Sequence, residues 1–180
     1  MEHHQTPFQA ALKAGLITGL FLTAFSFVCY FIDYKLLGAA WLGIATLVIY
    51  CGLVIYFGTE YRKELGGFMN FGTAFQFSFF SLLIMLAITT LGNMLLFMVV
   101  DPTLGEKMAD VGLENTLKIM DSFGAGDLPS EQMDEIKNGI LDGYTPLGML
   151  KGAGFMVIFY AVVSLILGAI IKKKDKSLDY

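Results

Sequence analysis

The chain has 180 residues, of which 56% are apolar before its 20 glycines are counted, and only 16% are charged. Soluble domains carry about 25% charged residues, which excludes an ordinary soluble domain, a disordered chain and a disulfide-rich secreted module. The formal net charge of −4 is unevenly spread. Charges are absent from 14–32, 36–58, 65–100 and 152–171, runs of 19, 23, 36 and 20 residues.

A helix crosses the ~30 Å hydrocarbon core with about 20 residues, and in lipid each backbone group must be paired inside its own segment. Four transmembrane helices are therefore predicted, at about 10–32, 36–58, 70–100 and 147–171. None of the runs sustains the apolar–polar alternation of a barrel strand. The whole chain reads as one all-α membrane domain.

The first span does not read as a cleaved signal. It begins Met1-Glu2-His3-His4-Gln5 and ends in bulky Cys29-Tyr30-Phe31-Ile32, where a signal has a basic start and a small-residue cleavage site. Within it Ala11, Gly15, Gly19 and Thr23 recur every four residues, a ridge that lets another helix approach closely. Span two has Gly38, Ala39, Ala40 and Gly43 near one end, and span four has Gly148 and Gly152, then Ser164 and Gly168. These seams are read as packing inside one bundle rather than as a homodimer interface.

Span three, about 45 Å of helix from Asn70 to Val99 at 1.5 Å per residue, exceeds the bilayer core. Phe68, Phe71, Phe75, Phe77, Phe79 and Phe80 crowd its start, with Asn70, Thr73 and Gln76 interleaved. At ~100° per residue Ser78, Ser81, Thr89 and Asn93 share one sector. Such polar groups are expected to bond across helices inside the bundle, or else to line a groove for a lipid head group or small solute. No Asp, Glu, Arg or His lies deep in any span, unlike in proton-coupled pumps and voltage sensors.

The stretch 101–142 carries ten acids against three lysines, a net of −7. Asp101-Pro102 reads as a cap and first turn, with Leu104, Met108, Val111 and Leu117 following at helical spacing and Gly124-Ala125-Gly126 as the stop. Leu128-Pro129-Ser130 starts a second helix with Met133, Ile136 and Ile140 on one face. The expectation is an amphipathic helical hairpin, at about 101–145, inserted between spans three and four. Its acids form a solvated face or a surface for a basic partner or a cation, without the spacing of a calcium loop.

Lys13, Arg62, Lys63, Lys172, Lys173, Lys174 and Lys176 fall on one side if the helices alternate. The positive-inside rule then puts both termini in the cytoplasm and the acidic insert outside. Lys151 is expected to snorkel to the head groups. The only histidines, His3 and His4, form no triad or metal geometry, and Cys29 and Cys51 read as apolar packing residues too far apart for a disulfide. Gly66-Gly67 lacks a phosphate-loop motif. The chain is expected to be no enzyme and to have no metal, cofactor or nucleic-acid partner.

The stretch from Tyr61 to Phe75, with Arg62-Lys63, Gly66-Gly67 and Phe71-Gly72-Thr73-Ala74-Phe75, resembles the signature of the uncharacterised bacterial domain-of-unknown-function family 4199. Asp101-Pro102, the acidic insert, a last span and a lysine-rich end follow in the order that family shows. The resemblance implies a four-span inner-membrane protein of Gram-negative bacteria with no assigned activity, from a family associated with gene neighbourhoods that contain lipid-linked sugar transferases. Arg62 and Lys63 are read on their own physics as cations that anchor to anionic lipid, or recognise a lipid phosphate, beside a glycine turn.

Two functions remain. One is a non-catalytic accessory or scaffold subunit that meets a membrane protein partner, or a second copy, in lipid-linked sugar or envelope metabolism. The other is a binder or carrier of a lipid or small solute along span three. Arg62, Lys63, Gly66, Gly67 and Asn93 are the candidate lipid- or partner-binding residues, and Gly15, Gly19, Gly148 and Gly152 the packing residues.

Overall fold

The computed structural model describes residues 5–124 and 128–174. His3, His4, Ala125-Gly126 and Lys176 lie outside them. Among the described residues six α-helices follow one another: α1 (Pro7–Ile32), α2 (Ala40–Glu64), α3 (Phe71–Leu95), α4 (Leu104–Ser122), α5 (Ser130–Gly143) and α6 (Pro146–Ile171). After Leu95 the helical path of α3 continues through a wider turn, Leu96–Val100, closed by the Asp101 N–H on the Leu96 carbonyl at 2.9 Å. Four helices are long and apolar enough to cross a membrane, namely α1, α2, α3 with its wide turn, and α6.

The second span departs from its expected limits of 36–58. Tyr34–Gly38 form a 3₁₀ turn, capped by the Asp33 carboxylate on the Lys35 N–H at 2.9 Å, and α2 runs from Ala40 to Glu64. A charge-free run marks where charge is absent, not where the hydrogen-bond ladder begins or ends. The polar turn at 59–64 continues the helix, and its Glu60 and Lys63 pair at i,i+3. α1 starts at Pro7, earlier than residue 10, because Thr6 and Gln9 form a capping box.

α3 is the central helix, with α1 and α6 along its two flanks and α2 less extensively packed. A Cβ on Gly15 would stand 2.7 Å from both the Ser81 carbonyl oxygen and Ile84 Cβ, and one on Gly19 would stand 2.9 Å from Ile88 Cβ. Gly92 of α3 returns the fit by leaving room for Thr23. On the other flank Gly168 lies against the Phe75 backbone, 3.1 Å from where its own Cβ would be. Close backbone approach of this kind yields dispersion contacts that lipid tails do not supply. Phe77, Leu82, Met85, Val54 and Ile171 fill the core between the helices.

Gly148 and Gly152 do not continue that seam. Gly148 fits against the Asp142 carbonyl of the preceding turn, and nothing lies within 4 Å of a Cβ on Gly152. The serines also differ from expectation. Ser78 and Ser81 are fully buried, yet they donate to Ala74 and Phe77 of their own helix at 2.9 and 2.8 Å rather than across to a neighbour. A hydroxyl one turn from a carbonyl on the same helix needs no partner helix at all.

α4 lies over the 3₁₀ turn, where Asn115 Nδ2 donates to the Gly38 carbonyl at 3.1 Å and Gly38 leaves space for Val111. Leu96, Leu104 and Met108 are buried there with Phe27, Tyr34, Leu37, Phe97 and Tyr144 packed around them. α5 has no buried residue. It meets α4 through Ile140 against Gly112 and an ion pair between Lys137 and Asp110.

Candidate functional site

The conspicuous sequence motif, 61–75, lies where both described chain ends meet. Tyr61, buried at the end of α2, donates its hydroxyl to the Gln5 carbonyl at 2.8 Å. Next to it Arg62 Nη1 donates to the Ile171 carbonyl at 2.7 Å. The last carbonyls of a helix have no intrahelical partner and carry its negative dipole end, so a guanidinium is well matched to them.

Gly66 and Gly67 then adopt φ of +83° and +90°, which is left-handed backbone that side chains with a Cβ rarely take. The turn delivers Met69 to Lys173. The two exchange both backbone hydrogen bonds, each 2.9 Å, in one antiparallel bridge. Asn70 caps α3 by accepting from the Thr73 N–H at 2.8 Å. Lys172 and Lys173 set their ammonium groups over Phe71 and Phe68, 5.6 and 5.7 Å from the ring centroids, a cation–π arrangement.

Of the five residues singled out for binding, Arg62, Gly66 and Gly67 come together in this junction. Lys63 sits beside them but is exposed and paired with Glu60 at 2.6 Å. Asn93 does not belong to the group. It is exposed near the opposite end of α3, 22 residues beyond Phe71, or about 33 Å along the helix. The groove between α3 and α6, about 380 Å³, is lined by Leu86, Thr90, Met94, Leu150 and Val157 among others, and Asn93 is not part of it.

A second polar junction, at the other end of the bundle, has no counterpart among the sequence candidates. The Asp101 side chain is 13% exposed and accepts from Lys107 Nζ at 2.8 Å, the Thr103 hydroxyl at 2.6 Å, the Thr103 N–H at 3.0 Å and the Tyr30 hydroxyl at 3.2 Å. The Lys107 ammonium, the Thr103 donors and the Tyr30 hydroxyl hold the Asp101 carboxyl down at about 2. The same pairing raises the Lys107 ammonium. Asp-Pro flags a helix start, but Tyr30 and Lys107 come from elements whose meeting no local spacing announces.

Both junctions are built to hold helices together, and among the described residues no three His, Cys, Asp or Glu side chains cluster as metal ligands would. Residues 13–173 match the family model described as Protein of unknown function (DUF4199). No curated protein and no solved structure matches the chain.

Proposed function

The chain belongs to the DUF4199 family, and on that premise we propose that it is a non-catalytic accessory or scaffold subunit of a membrane complex. In this reading it sits in the bacterial inner membrane with both chain ends in the cytoplasm, and α4 with α5 forms an outer amphipathic hairpin. Lipid-linked sugar or envelope metabolism is the setting we favour, on the family association alone.

The observation that carries the reading is a surface on α4. Ile119 and Phe123, the residue that follows the last turn of α4, stand four apart and are 61% and 83% exposed, while nearby Glu114 is paired with Lys118 at 2.6 Å. An exposed apolar pair with the polar Asn115, Thr116 and Ser122 one turn away from Ile119 matches the apolar centre and polar rim of a protein interface. The partner would offer an apolar pocket with a polar rim. Arg62 and Asp101, whose side chains join elements distant in sequence, already serve the fold.

Purification of the tagged protein from its native membranes in mild detergent tests this. A partner at fixed stoichiometry is expected, and Ile119→Ser with Phe123→Ser should release it while the bundle's own thermal midpoint is kept. A wild-type protein that purifies alone, or a partner that survives both substitutions, overturns the reading. The lipid-binding alternative draws its support from the apolar groove between α3 and α6.

A further inference from the structure

A different cleft, of about 440 Å³, lies between α1, α2 and α6. Its lining includes Ser26, Gly43, Thr46, Tyr50, Phe159 and Tyr160. Two of these are unusual for a lipid-facing groove. Tyr50 and Tyr160 are 5% and 6% exposed and meet edge to face, with ring centroids 5.7 Å apart. Neither hydroxyl is hydrogen-bonded to another described residue, whereas Thr46 and Ser164 beside them donate to carbonyls of their own helices at 2.8 and 2.6 Å. Hydroxyl donors left open in an apolar surrounding favour any ligand that brings an acceptor.

Their depth narrows what that ligand is. Trp41, 61% exposed near the start of α2, and Lys151, exposed near the start of α6, are residue types that settle at the head-group level. Tyr50 follows Trp41 by nine residues and Tyr160 follows Lys151 by nine. Each tyrosine therefore lies about 14 Å below that level, close to the middle of a core about 30 Å thick. Phospholipid ester carbonyls stay near the head groups, and acyl chains offer no acceptor at all. A ligand must carry its acceptor within an apolar body and be free to sit at the midplane.

We propose that this cleft binds a lipid-soluble carbonyl compound of the quinone class. Its ring packs against Tyr50, Phe159 and Tyr160, with offset or edge-to-face geometry. Its carbonyl oxygen accepts from the Tyr50 and Tyr160 hydroxyls, and its apolar tail leaves between α2 and α6. No electron transfer is part of the inference. The site shares no residue with the Ile119–Phe123 surface, so each stands or falls separately.

The test uses the full chain in mild detergent, titrated with decylubiquinone and, in parallel, with decylbenzene. Trp41, the single tryptophan, precedes the cleft-lining pair Leu42-Gly43 and reports quinone binding by quenching. The thermal midpoint reports both compounds. Decylubiquinone should bind saturably and tighter than decylbenzene. Tyr50→Phe with Tyr160→Phe should weaken the quinone about tenfold and leave decylbenzene and the unliganded midpoint unchanged. Gly43→Phe, placed where nothing lies within 4 Å of a Cβ, should block the cleft without disturbing the fold. Absence of saturation, equal binding of the two compounds, or a double variant that binds like wild type each overturns the proposal.

Discussion

Arg62 Nη1 donates to the carbonyl of Ile171, 109 residues further along the chain and 2.7 Å away. The contact joins the end of α2 to the end of α6, two helices that otherwise meet sparingly. It also gives a physical task to an arginine whose sequence context suggested lipid phosphate.

Removing the guanidinium should therefore loosen α2 from α6. Arg62→Met is expected to cost about 1 kcal/mol of stability, the scale of a partly exposed charged hydrogen bond. Arg62→Lys should cost less, since the charge at the α6 terminus is kept. Reversible unfolding in mixed detergent micelles measures both, and a silent Arg62→Met would return the residue to lipid anchoring.

The glycines of one sequence pattern should respond in opposite ways. Gly15→Ala drives a methyl group into the Ser81 carbonyl and Ile84, both 2.7 Å from its position, and should destabilise by about 1–3 kcal/mol. Gly152→Ala enters open space and should be silent. Thermal midpoints in detergent compare the two, and equal values would mean that the α1–α3 seam is not tight.

Asp101 makes stability acid-sensitive. Its folded pKa of about 2 lies below the ordinary 3.8, so its contribution is fully present above about pH 4 and fades as pH falls through 2. Asp101→Asn should be less stable than wild type at pH 6, with the gap closing below pH 3. Midpoints taken across that range, at constant ionic strength, decide it. A gap that persists at pH 2 would place the Asn effect in packing rather than in charge.

Orientation can be read with two cysteines in a Cys29→Ala, Cys51→Ala background. Ser122→Cys, exposed at the end of α4, should react with a membrane-impermeant maleimide in intact spheroplasts. Lys174→Cys, exposed beyond α6, should react only after lysis. The opposite pattern would invert the positive-inside assignment.

The spans are legible in the sequence because burial in lipid excludes charge, and apolar gaps of 19 to 36 residues between charges match the length a bilayer demands of a helix. Helix ends are less so. Asp33 and Lys35 mark the first break, but its length depends on a side-chain cap and a 3₁₀ turn that runs on through apolar Leu36-Leu37, and the extension to Glu64 runs through charged residues that suit a helix equally well. Periodicity puts Ser78 and Ser81 on one face but cannot tell whether their hydroxyls reach across or back. Asn93 shares their sector yet lies exposed. The bridge from Met69 to Lys173 and the convergence of Tyr30 and Lys107 on Asp101 are long-range encounters. Short-range pattern carries no information about them.

The Met69–Lys173 bridge also sets an order of events during synthesis. The two residues are 104 apart in the chain (173 − 69), and ribosomes add about 5–20 residues per second. The turn at Gly66-Gly67 therefore exists for roughly 5–20 s before its partner strand has been made, and Arg62 waits as long for the Ile171 carbonyl. In the later part of that interval, once residues 71–100 have been made, α3 still presents to lipid the flank that α6 will cover. Closure of the bundle is thus a late step, completed only as the final turn of the last helix emerges.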